Sequence, residues 1–137
     1  MHVIAEPEQA RQPAWLVVPA ECDVPMLRAE LLGVMRGDRC DPELRVVVDF
    51  RRTVFLPEPG DALAIADALA PPTRFLRPCV ALVAAGDEAL RVLGMIATLS
   101  ILRGGTVRSF RSFDAALAWL DDAVASVEPP RPSISAR

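Results

Sequence analysis

The segment Arg45-Val46-Val47-Val48-Asp49-Phe50 decides the fold class of this chain. Consecutive apolar residues without polar alternation are typical of a strand buried on both faces, as strands of parallel sheets are. A second run of this kind, CVALVAA, covers residues 79–85. Residues with helical spacing lie between the two runs, and parallel neighbours need a crossover connection that is usually a helix. The sequence therefore predicts an α/β fold.

Two further strands and four helices follow from the same patterns, read outward from these runs. The further predicted strands cover residues 15–18 and 106–110, and the predicted helices cover about 24–36, 61–69, 87–103 and 112–126. Strand and helix thus alternate along the chain, which favours one layered domain. We predict a single α/β domain over residues 1–126, with a mainly parallel four- to five-stranded sheet covered by helices. Residues 127–137 are predicted to be a flexible tail.

Composition narrows the class of partner. The chain has 137 residues, of which 52% are hydrophobic and 24% charged, so global disorder is excluded. No apolar run approaches the roughly 18 uncharged residues of a membrane span. A net charge of −3 gives no broad electrostatic reason to bind nucleic acid. We therefore expect neither a membrane span nor a nucleic-acid partner.

Residue types limit the possible chemistry. All 15 basic residues are arginine, tyrosine is missing, and His2 is the single histidine. Lysine-based covalent chemistry is thereby excluded, as are histidine-rich metal sites. The cysteines Cys22, Cys40 and Cys79 form no C-x-x-C pair, and the N-terminal residues do not resemble a signal peptide. We expect reduced thiols in a cytoplasmic protein, no cofactor, and no enzymatic activity.

Two other candidate sites are better explained as structure. Arg51, Arg52 and Arg111 follow predicted strands and could form an anion site, although solvated surface arginines are commoner. Carboxylates that could hold a hard cation are more simply helix caps and strand-end residues; they are Asp49, Asp61 and Asp87. We therefore predict no metal site.

The long helix after Gly86 has an unusually wide apolar band. Its polar stripe, Glu88, Arg91 and Thr98, can face water, while Leu90, Leu93, Ala97 and Ile101 can face the sheet. The remaining apolar residues flank that face or fall outside it; they include Val92, Met95, Ile96, Leu99 and Leu102. A band of this width needs cover from a neighbouring helix, a second subunit or an apolar ligand.

The stretch VVVDFRRTVFLPEPGDALAIADALA (46–70) resembles the core of the STAS family, the anti-sigma-factor-antagonist type of domain. Asp49 matches the family's strand-end aspartate, Phe55-Leu56 its apolar pair, and Gly60 the glycine of its Asp-Ser-Ser-Gly turn. The segment SFRSFDAALAWL (109–120) is similar to the ending of bacterial proteins grouped with the STAS and CRAL-TRIO-like superfamily. The resemblance extends from Leu44 to about Asp122.

This resemblance implies a domain that works by protein contact, typically with a kinase-like anti-sigma factor or inside a signalling assembly. In the family, phosphorylation of the first serine of the turn releases the partner. Here Glu58 occupies that position and Pro59 the next one, so we predict that the phosphorylation switch is lost. Glu58 is then either a fixed partial mimic of the phosphorylated state or an ordinary acidic residue in a proline-rich turn.

The expected function is therefore a non-enzymatic regulatory module. Its predicted partner surface is the turn and the helix after it, represented by Pro57, Glu58, Pro59, Gly60, Asp61 and Ile65. The apolar band of the long helix is the second predicted surface, a possible homodimer contact. The alternative is a carrier or sensor domain in which that band binds a lipid-like ligand, since methionine adapts to irregular apolar ligands.

Overall fold

The structure is a computed structural model that describes residues 2–4, 13–36, 44–53, 58–71 and 78–127. The strands are β1 (His2–Ile4), β2 (Ala14–Val17), β3 (Arg45–Asp49), β4 (Cys79–Val83) and β5 (Thr106–Phe110). The helices are α1 (Val24–Met35), α2 (Pro59–Ala68), α3 (Asp87–Leu102) and α4 (Phe113–Val127). The predicted tail, except for Val127 at the end of α4, lies outside the described residues.

The five strands form one sheet in the order β1-β2-β3-β4-β5. β2 to β5 are all parallel, while β1 pairs antiparallel with β2 along one edge. The predicted α/β fold with a mainly parallel sheet is therefore confirmed. β1 was not predicted, because three residues beside a polar segment carry too little periodicity to indicate a strand.

The helices cover the two faces of the sheet unequally. α1 packs on α2 and α2 on α3, so these three helices form one layer, while α4 lies on the opposite face against β4. Every residue of β3 and β4 is buried, as their apolar runs predicted. On the α4 side, Ala116 and Leu120 are fully buried against Val47, Ala81 and Val83.

Helix starts follow the capping rules, except that the predicted caps Asp61 and Asp87 both lie within their helices; the N-cap of α3 is Gly86. Asp23 caps α1, and its carboxylate accepts a hydrogen bond from the backbone N–H of Met26 at 2.9 Å. α2 begins at Pro59 with Glu58 as the N-cap, so the prediction that Asp61 caps this helix was wrong. Proline fits the first turn because its missing N–H would have no partner there.

The membrane prediction can be compared with the helices directly. In the part of the chain that the structure describes, no helix has the length and apolar content needed to cross a membrane. The longest described helix, α3, has 16 residues.

Leu120 tests the packing of α4. Leu120→Ala removes a fully buried side chain, so we expect the free energy of unfolding to fall by about 2–5 kcal/mol. Met26→Ala, at an α1 side chain that is 47% exposed, is the control and should change it by no more than about 0.5 kcal/mol. Urea unfolding measures both. Equal losses in the two variants would contradict the packing of α4 on the sheet.

Candidate functional site

The carboxyl edge of the sheet gathers the candidate residues. β2 to β5 are parallel, so their carboxyl ends lie along one edge, where α1, α2 and α3 begin. The ligand sites of open α/β sheets usually lie at this edge. Asp49, at the end of β3, and Glu58, at the start of α2, both belong to it.

Asp49 is buried, and its carboxylate is fully engaged in hydrogen bonds. One oxygen accepts from the backbone N–H of Arg51 at 3.0 Å and from its Nε at 2.9 Å. The other accepts from Nη2 of Arg51 at 2.7 Å and from Nε1 of Trp15 at 3.4 Å. This two-oxygen pairing of carboxylate and guanidinium is the strongest form of the ion pair.

Arg51 also connects Asp49 to the aromatic residues of the α4 face. Its guanidinium carbon lies 5.2 Å from the ring centroid of Phe113, within the range of a cation–π contact. The rings of Phe113 and Trp15 pack at 4.9 Å between centroids. The cluster of Trp15, Asp49, Arg51 and Phe113 therefore fastens the start of α4 to β2 and β3.

The environment of Asp49 has opposing effects on its pKa. Burial alone raises the pKa, because it penalises the charged carboxylate. The hydrogen bonds and positive charge of Arg51, together with the Trp15 hydrogen bond, outweigh burial and leave the pKa below its usual value. Asp49 is therefore charged at neutral pH, and its oxygens stabilise the fold through their hydrogen bonds to Arg51 and Trp15.

The predicted alternatives of an anion site and a cation site gain no support. Arg51 is bound to Asp49, and Arg111 forms an exposed ion pair with Asp87 at 2.7 Å, while Arg52 is exposed. Within the described ranges, no group of three or more histidine, cysteine, aspartate or glutamate side chains could hold a metal ion.

The turn before α2 is exposed as predicted, in its described part. Glu58, Pro59 and Gly60 are exposed, and Asp61 is half-buried with its carboxylate accepting from the backbone N–H of Glu58 at 3.2 Å. Pro57 lies outside the described residues. Ile65 is a correction, because it is fully buried and cannot contribute to a partner surface.

Leu63 is a surface residue of α2 that the predicted partner surface does not include. Its side chain is 40% exposed, although the buried residues Ala62, Ile65, Ala66 and Leu69 surround it in sequence. Those four have the spacing i, i+3, i+4 and i+7, which defines one inward stripe. Leu63 falls outside this stripe, and the spacing was the signal that could have identified it.

The apolar band of α3 divides into core and surface. Ile96 is fully buried, and Val92 and Leu99 are half-buried against the core, so these three do not form an open surface. Met95 is 38% exposed and Leu102 is 75% exposed. The predicted sheet-facing set was correct for Leu93 and Ala97, and Leu90 is half-buried against the core. It was wrong for Ile101, which is 55% exposed.

The described cysteines are thiols without activation. Burial and then the neighbouring charge of Asp23 raise the pKa of Cys22. Burial raises the pKa of Cys79, although the charge of Arg45 opposes it. Cys40 lies outside the described residues.

Comparison of the chain with protein-family models, with curated proteins and with solved structures found no match. The resemblance to the STAS family therefore stays a prediction from the order of residues. The interpretation of the site rests on its geometry.

Asp49 supports a prediction on stability and pH. Asp49→Asn removes the buried charge that Arg51 neutralises, so we expect a loss of about 1–3 kcal/mol in the free energy of unfolding at neutral pH. Because folding lowers the pKa of Asp49, its stabilising effect is complete above the ordinary value of 3.8 and is lost as the pH falls below it. The stability difference between wild type and variant should therefore narrow on acidification.

Urea unfolding from about pH 7 to about pH 3 measures this difference. The matched control is Asp87→Asn, which removes an ion pair that is exposed on both sides. We expect that control to lose no more than about 1 kcal/mol. A difference between wild type and Asp49→Asn that does not change with pH would contradict the role of the Asp49 charge.

Proposed function

We propose that this protein is a cytoplasmic regulatory module that acts by binding another protein through the start of α2. The α2 surface consists of Glu58, Pro59, Gly60 and Leu63. The observation that carries the proposal is the 40% exposure of Leu63 on a helix whose opposite face is fully buried. An exposed leucine beside an exposed acidic turn supplies both an apolar anchor and a charge, the two features that interfaces combine.

The α2 surface is rigidly supported. Ala62, Ile65 and Ala66 fix the inner face of α2 in the core, so the outer face presents its side chains on a fixed helix. A rigid surface loses little conformational entropy when a partner binds, and more of the contact energy remains as affinity.

Glu58 contributes a permanent charge to the α2 surface. A carboxylate at a helix N-terminus is favoured by the helix dipole, which gives Glu58 a local structural role. The resemblance to the STAS family implies a phosphorylatable serine at this position, and glutamate holds a negative charge there without a kinase. We propose that partner binding is not switched at Glu58, and that the partner carries a basic side chain opposite it.

The packing of Val92, Ile96 and Leu99 in or against the core favours a module that binds another protein over the alternative of a lipid carrier. A carrier would need its apolar band to line a ligand cavity. Ile96 instead belongs to the packed core, and Val92 and Leu99 pack against that core. These side chains are engaged within the protein.

Site-specific photo-crosslinking tests the proposal in the source cell. A photoreactive amino acid at position 63 is compared with one at Ala118, which is exposed on α4 at the opposite face. We expect a defined protein to crosslink at position 63 and not at position 118. The crosslinked protein is then purified, and its affinity is measured by calorimetry.

In that assay, Leu63→Asp should weaken binding by roughly tenfold or more, as loss of a central apolar anchor does. Met26→Asp, at the exposed side chain on α1, is the matched control and should bind as wild type does. If the Leu63→Asp variant binds with the affinity of wild type, the proposal that the partner binds the α2 surface is wrong. A lipid that co-purifies in native mass spectrometry, with no crosslink at position 63, would favour the carrier.

A further inference from the structure

The outer side of α3 carries a regular exposed stripe. Glu88, Arg91, Met95, Thr98 and Leu102 are all exposed, and they are separated by three, four, three and four residues. This is the a/d spacing of a heptad repeat, which aligns side chains along one narrow line of a helix. Such a line is the contact geometry of one helix packing along another.

The exposed surface of the second half of the stripe is apolar. Met95 and Leu102 are 38% and 75% exposed, and Ile101 beside them is 55% exposed. The hydroxyl of Thr98 donates to the backbone carbonyl of Gly94 at 3.0 Å, so its hydrogen-bonding capacity as a donor is satisfied within the helix. Thr98 can therefore be covered by another apolar surface at low cost.

We propose that a second copy of this chain docks on the α3 stripe, so that two α3 helices pack antiparallel about a two-fold axis between Met95 and Thr98. In this arrangement Met95 packs on Thr98 of the partner subunit, and the reverse contact follows by symmetry. Arg91 lies across from Leu102 of the partner subunit, where the aliphatic part of the arginine covers the leucine and its charge remains in water.

Charge complementarity selects a second copy in this orientation. A parallel pair would set Glu88 against Glu88 and Arg91 against Arg91, which like charges disfavour. The antiparallel pair brings Glu88 of one α3 near the end of the other, where Arg103 follows the helix. Arg103 binds Asp67 and keeps 35% of its side chain exposed, so it can also attract this glutamate.

The α3 stripe is separate from the α2 surface, and the two proposals fail independently. Sedimentation velocity of the full chain over a concentration series tests the stripe. We expect a species of twice the 14.8 kDa chain mass that dissociates on dilution. Leu102→Glu should weaken self-association by roughly tenfold or more, and Thr98→Arg should do the same.

Met26→Glu is the matched control, since it places the same charge at an exposed apolar residue of α1 and should leave self-association unchanged. Circular dichroism verifies that each variant is folded. A wild type that is monomeric at every concentration overturns the proposal. A dimer that both stripe variants retain also overturns it.

The orientation has its own test. Met95→Cys and Thr98→Cys variants are mixed in equal amounts, oxidised and analysed by intact mass, with wild type as the control for the native cysteines. We expect disulfide-linked pairs that join one variant to the other. Pairs that form only within each variant would show parallel helices and overturn the antiparallel arrangement.

Discussion

Right-handed crossovers between neighbouring parallel strands place α1, α2 and α3 on one face of the sheet. The opposite face of β3 and β4 also carries apolar side chains, including Val47, Ala81 and Val83, and in the described part of the chain α4 covers them. This constraint explains why the last helix must return over the sheet. It also leaves α3 at the end of its layer, with α2 on one flank, so that an outer stripe of α3 stays uncovered.

α4 is held at its start and near its middle by arginines from the two ends of β3. After β3, Arg51 binds Asp49 and stacks on Phe113 at the start of α4. At the first residue of β3, the buried Arg45 donates from Nη1 to Asp121 near the middle of α4 at 3.1 Å. The charged residues at the two ends of β3 thus orient α4, and Asp49 is structural for the same reason.

The sequence predicted the parallel sheet and the exposed turn at Glu58, because a buried strand and a proline-rich helix start have strong local signals. It predicted the side of α3 that faces the core only in part, because it placed Ile101 there and left Ile96 out. Ile96 and Ile101 are equally apolar, yet the contact with α2 and β5 buries the first and exposes the second. Ser100 is also buried, since its hydroxyl donates to the carbonyl of Ile96 at 2.8 Å, a bond that hydropathy does not register.

An ion pair between Asp67 and Arg103 links α2 to α3 beside their buried apolar contact. Both helices return antiparallel to the strands, so they run in the same direction. The pair lies where both helices end, because Asp67 is in the last turn of α2 and Arg103 follows the last residue of α3, so it holds these two helix ends side by side.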